Sequence, residues 1–156
     1  MTKNKNKEAG KRNILVPIDF TAASRNAFRQ ALRLGKNGSR FILLHVIPPT
    51  TEKGRKRPIT IAAARRSLAS FAKNGHARRV RSFRYDVRTG TPFQEILAAA
   101  QDNNVEIIVL GVDNSGPFSG LALGHTAGRV LRYAKCPVLL VREGSTPGID
   151  SSSVGY

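Results

Sequence analysis

Cysteine is almost missing from this chain of 156 residues. The single thiol, Cys136, excludes an intramolecular disulfide and any zinc site built from several cysteines. At the mouth of an apolar run it reads as a small core residue rather than a reactive thiol. The three histidines, His45, His76 and His125, show no shared ligand spacing, so no metal site is expected, and His45 reads as a core or strand-face residue. Tryptophan is absent and aromatics make up 6% of the chain, which gives little support for base stacking on nucleic acid. No apolar run approaches the roughly 20 residues that cross a bilayer. The basic start, MTKNKNKEAGKR, is followed by no signal-peptide hydrophobic segment. A soluble, cytoplasmic protein of one domain with a substantial core is the expectation.

Acidic residues are also scarce. Ten Asp and Glu face 26 Lys and Arg, for a net charge of +16. The excess is uneven. Lys3, Lys5, Lys7, Lys11 and Arg12 crowd the N-terminus, and twelve more cations lie between Lys53 and Arg88. Such a field attracts polyanions in a salt-dependent way, and no recognisable nucleic-acid motif accompanies it. Non-specific polyanion contact and a merely solvated surface both fit.

What is present is an alternation of apolar runs and helical patterns. Residues 1–12 read as a disordered basic arm and 143–156 as a flexible Gly/Ser-rich tail, leaving a domain over 13–142. Apolar runs at 13–18 (NILVPI), 40–46 (RFILLHV), 80–87, 106–111 and 137–142 (PVLLVR) predict five strands. The run at 80–87 has mixed faces and suits an outer position. Pro17 cannot donate to a ladder and is tolerable only at a strand's end. Between the runs, a helix over 22–34 starts at an N-cap Thr21, carries Ala23, Ala27, Ala31 and Leu34 on one face, and ends at Gly35 and Gly38. A second helix covers 59–73, closed by Asn74 and Gly75. A third opens at Thr91-Pro92-Phe93-Gln94 with a capping box and buries Phe93, Ile96, Leu97 and Ala100. Strands alternating with helices give an α/β fold, a doubly wound five-stranded parallel sheet with helices on both faces.

The stretch over 106–142 organises the rest. An apolar run ends at Gly111, a loop rich in Gly and Ser follows, and a helix begins near Gly124 to Thr126. A helix N-terminus behind such a loop is a ready anion site, although glycines of this kind also simply turn a chain. In an open parallel sheet, ligands sit at the strands' C-terminal ends where strand order reverses. Asp19 falls there. It reads either as an acceptor for a ribose or adenine edge, or as a cap for the following helix.

The stretch resembles the signature of the universal stress protein family: a Gly, two residues, a Gly, nine residues, and a Gly followed by Ser or Thr. Gly111 and Gly124 take the first and third positions. Ala127, Val130, Leu131, Ala134, Cys136, Pro137 and 138–141 match its tail, and Gly90 and Pro92 match the start of the third helix. Asn114 stands where the second Gly belongs and His125 where the Ser or Thr belongs. The resemblance covers roughly 12–142 and implies an adenine-nucleotide alpha-hydrolase-like, Rossmann-like fold. It also implies an ATP-binding module acting in stress response, and a lone Asp in the pocket could help hold Mg²⁺ beside the phosphates. On that reading Pro17, Ile18, Asp19 and Val46 line an adenosine pocket, while Leu110, Gly111, Asn114, Gly124, His125 and Thr126 hold sugar and phosphates.

Asn tolerates the left-handed region best after Gly, and a neutral imidazole can donate one hydrogen bond to phosphate. Loss of nucleotide binding through Asn114 and His125, leaving an interaction protein of the same fold, is the alternative. No catalytic constellation and no Walker loop is visible, so the chain reads as a non-enzyme with at most slow ATP hydrolysis. The last run, from Pro137 to Arg142, is apolar on both faces. At a sheet edge it would need covering, and a homodimer through this strand, which the resemblance also implies, would supply that.

Overall fold

The structure, a computed structural model, describes residues 12–49, 59–74, 82–113 and 123–142. Nine elements alternate: β1 (Asn13–Pro17), α1 (Ala22–Leu34), β2 (Arg40–Ile47), α2 (Ile61–Asn74), β3 (Phe83–Thr89), α3 (Pro92–Asp102), β4 (Ile107–Val112), α4 (His125–Tyr133) and β5 (Val138–Arg142). The strands form one parallel sheet in the order β3-β2-β1-β4-β5. The order reverses between β1 and β4, as a doubly wound sheet requires.

Because both faces are covered, the central strands carry consecutive apolar residues, as in ILV at 14–16 and FILL at 41–44, rather than alternate ones. Ile14, Val16, Phe41, Leu43 and Val109 face one core with Ala27, Phe28, Ala31, Leu68 and Phe71 of α1 and α2. Leu15, Ile42, Leu44, Ile108 and Leu110 face the other with Ile96, Ala99, Ala127 and Val130 of α3 and α4. The period of two along each strand therefore decides which helical layer a residue meets.

Local chemistry explains most helix ends and corrects several expectations. Thr21 caps α1, its hydroxyl accepting from the Ser24 N–H at 3.2 Å. Leu34 does not join the buried alanine stripe. It is the last helical residue and 40% exposed, and Phe28 supplies the bulk instead. Gly35 ends the helix in extended backbone, its missing Cβ making room for the Phe41 ring. Helix α2 starts two residues later than the pattern suggests, because the Thr60 hydroxyl accepts from the Ala63 N–H at 3.1 Å and leaves Ile59 outside. Asn74 is helical rather than a terminator.

The capping box at Thr91 does not form: its side chain makes no cap hydrogen bond. Pro92 still occupies the first turn, and Glu95 folds back against Gly90, whose φ of 155° suits glycine. Ala99 joins Ile96 as the fully buried pair, with Phe93, Leu97 and Ala100 half-buried. Strand β3 is an outer strand, as expected, but runs to Thr89. The arm over residues 1–11, the tail over 143–156 and the loop over 50–58 lie outside the described residues. Arg12 belongs to the fold, since its carbonyl accepts from the Arg40 N–H at 2.8 Å.

Candidate functional site

Pro17 determines where the sheet splits. Hydrogen bonds alternate sides along a parallel strand. Arg12 accepts from β2 and Asn13 accepts from Glu106 N–H beside β4, so residues 13, 15 and 17 address β4. At Pro17 the N–H that would continue this ladder is missing. The register of β1 with β4 accordingly covers Ile14 and Leu15 only, whereas β4 stays paired with β5 as far as Val112. On the other side Ile18 N–H still reaches the Leu44 carbonyl at 2.7 Å.

A cleft of about 200 Å³ opens at this divergence. Pro17, Ile18, Asp19, Val46, Leu110, Gly111 and Thr126 all line it, so seven of the ten sequence-predicted site residues converge. Gly124 and His125 sit exposed at the start of α4 and do not line it. Asn114 lies outside the described residues. Sequence reasoning missed Ser24, Leu44, Pro92, Ile96 and Ala127. Ile96 and Pro92 bring α3 to the cleft as a further wall. Their one signal in the sequence is the Thr91-Pro92 helix start.

Gly111 and Gly124 differ in what requires a glycine. A Cβ on Gly111 would collide with the carbonyl group of Ala23 and lie 2.7 Å from Ser24 N. It is the close seat of the first turn of α1 on β4. A Cβ on Gly124 would meet nothing within 4 Å, and its φ of −52° suits any residue. Gly124 is the N-cap of α4 and offers no side-chain cap, so the first-turn N–H groups keep their positive end directed outward.

The loop carrying Asp19 is fixed from both sides. His45 Nδ1–H donates to the Ile18 carbonyl at 2.7 Å, which sets its tautomer because a carbonyl only accepts. The His45 ring packs 4.8 Å from Phe20, which packs 5.8 Å from Phe71. These contacts hold Phe20 in the left-handed region, at a φ of 66° that a bulky residue rarely adopts. Asp19 is tied to the start of α1. Its Oδ1 accepts from the N–H and hydroxyl of Thr21, so it braces the N-cap residue of α1 while lining the cleft. Burial raises its pKa, but hydrogen bonds from Thr21 and Ser24 outweigh that and hold it below the ordinary carboxyl value.

Cys136 is half-buried against the α3–α4 core, and burial pushes its thiol pKa up, which suits a packing role. Among the described residues no group of three or more His, Cys, Asp or Glu could hold a metal, and no helix is long and apolar enough to cross a membrane.

Comparisons with known proteins agree with this architecture. Residues 11–142 match the model of the universal stress protein family. A universal stress protein of Methanothermobacter thermautotrophicus is 39% identical over 61 residues, which cover 39% of this chain and 41% of that one. A universal stress protein solved in complex with cAMP is similar in fold, with a TM-score of 0.61, 20% identity, and coverage of 86% of this chain and 99% of that one. The Archaeoglobus fulgidus universal stress protein in complex with dAMP aligns with a TM-score of 0.62, 19% identity, and coverage of 85% and 98%. A parallel sheet split between β1 and β4, a cleft at the split, and a family match over almost all the folded residues lead to one assignment: this chain belongs to the universal stress protein family.

Proposed function

We propose that this chain is an adenine-nucleotide binding module of stress response that works as a homodimer rather than as an enzyme. The observation that carries the reading is the cleft at the β1–β4 split. Its walls are apolar at Pro17, Ile18, Val46, Ile96, Leu110 and Ala127, which suits a purine. Asp19 offers carboxylate acceptors for a ribose or an amino edge, and Thr126 offers a hydroxyl. At about 200 Å³ the cleft is smaller than the roughly 300–1,000 Å³ of complete small-molecule sites. That size suits burial of the nucleoside, with phosphates lying outward over the uncapped start of α4. The cAMP and dAMP bound by the two relatives are nucleotides of this class.

ATP with Mg²⁺ is the physiological ligand we propose, the ion arriving with the phosphates. A carboxylate held below its ordinary pKa is a weak general base, which supports binding over turnover at Asp19. The dimer is proposed through β5, an edge strand of the sheet with a half-buried apolar run.

Calorimetric titration with ATP and Mg²⁺, ADP, AMP and cAMP tests the reading. Saturable binding lost in Asp19→Ala supports it. Binding that appears only after Asn114→Gly and His125→Ser would instead assign a module of the same fold that has lost its nucleotide. No binding by either protein would overturn the pocket assignment.

A further inference from the structure

We propose that the face built by α1 and α2 docks the phosphate backbone of duplex nucleic acid. Two helical layers cover the sheet, and their charges differ. Helix α1 carries Arg25, Arg29 and Arg33, and α2 carries Arg65, Arg66 and Lys73, with no Asp or Glu in either. Across the sheet, α3 carries Glu95 and Asp102 and α4 carries Arg129 and Arg132. One layer is therefore purely cationic and the other is balanced. A chain made basic only for solubility has no reason to segregate its charge in this way.

The six cations are all exposed. Arg25, Arg29 and Arg33 recur every four residues, about 6 Å apart along the helix, on the ridge away from buried Ala27 and Ala31. The two helices form one surface: Phe28 and Phe71 pack 5.6 Å apart, and the Arg25 guanidinium lies 5.4 Å from the Phe71 ring. Two acids of the opposite side are paired there. Asp86 and Asp102 pair with Arg88 at 3.0 and 2.9 Å, on the side of the sheet that faces α3. Arg88 itself is thereby removed from the basic surface that composition suggests.

The form of the partner follows from what the ridge lacks. Proteins that hold single strands stack bases on exposed aromatic rings. Here Phe28 and Phe71 are buried beneath the arginines, so among the described residues the two helices offer charge and guanidinium forks without an exposed aromatic ring. Such a surface binds duplex phosphates and reads no sequence.

The test is fluorescence anisotropy of the full chain with a short random-sequence DNA duplex across a salt series. Each lost phosphate contact changes the slope of log K against log salt by ~0.9. The triple variant Arg25→Gln, Arg29→Gln, Arg33→Gln is expected to flatten that slope by about three units. The control pair Arg129→Gln, Arg132→Gln on the opposite layer is expected to leave it unchanged. Absence of duplex binding, an unchanged slope in the triple variant, equal weakening by the control pair, or tighter binding of a single strand would each overturn the proposal. Should the triple variant fail to fold, Arg66→Gln with Lys73→Gln replaces it, with an expected change of about two units.

Discussion

Gly111 lies so close beneath α1 that a Cβ there would overlap the carbonyl group of Ala23. The obstruction is backbone, which cannot rotate away as a side chain can. Gly111→Ala is expected to cost about 1–3 kcal/mol in urea denaturation, the usual range for overpacking. Unchanged stability would refute the close seat.

Gly124→Ala is the complementary experiment. Open space and an ordinary φ predict a stability change within about 1 kcal/mol, set only by the poorer N-cap. If phosphates lie over α4, nucleotide affinity should drop while the melting temperature barely moves. Loss of both together would mean that Gly124 serves the fold.

At Phe20 the backbone contradicts its residue. A left-handed φ of 66° costs a non-glycine residue about 1–2 kcal/mol. Phe20→Gly is therefore expected to be more stable than Phe20→Ala by about 1 kcal/mol, both lacking the ring contacts to His45 and Phe71. Equal stabilities would show that the turn relaxes once the ring is gone.

Asp19 gives acid sensitivity a definite sign. Its folded pKa lies below the ordinary 3.8, so its contribution is fully present above that value and is lost as pH falls through the lower folded value. Asp19→Asn should flatten the acid limb of a stability-against-pH curve measured by denaturant titration. Parallel curves for the two proteins would exclude the Thr21 bonds as its source.

The proposed dimer predicts an alternation along β5. Ile108 N–H donates to the Pro137 carbonyl, so residues 137, 139 and 141 address β4 while Val138, Leu140 and Arg142 address the open edge. Leu140→Pro removes an outward donor and should give a monomer by sedimentation equilibrium. Leu139→Pro breaks the β4 ladder and should unfold the chain. A folded dimer in Leu140→Pro would rule out pairing at this edge.

Much of this was legible in the chain. Unbroken apolar runs such as ILV at 14–16 announced strands covered on both faces, and Thr21 announced the start of α1. The convergence of Asp19, Val46, Gly111 and Thr126 followed from sheet topology and family resemblance together. What escaped reading was long-range. Nothing local to Gly111 reveals Ala23 above it, and nothing local to Ile96 places it in the cleft. The capping box from Thr91 to Gln94 was a sound local pattern, yet the Thr91 side chain makes no cap hydrogen bond in the fold.

The missing N–H of Pro17 also has a mechanical consequence. The sheet consists of two well-zipped panels, β3-β2-β1 and β4-β5, joined by the short β1–β4 register of Ile14 and Leu15. That junction is a seam, and the cleft is its unstitched end. A ligand touching Asp19 on one panel and Leu110 on the other would act as a stitch across it, so occupancy would be felt as stiffness along the whole joint.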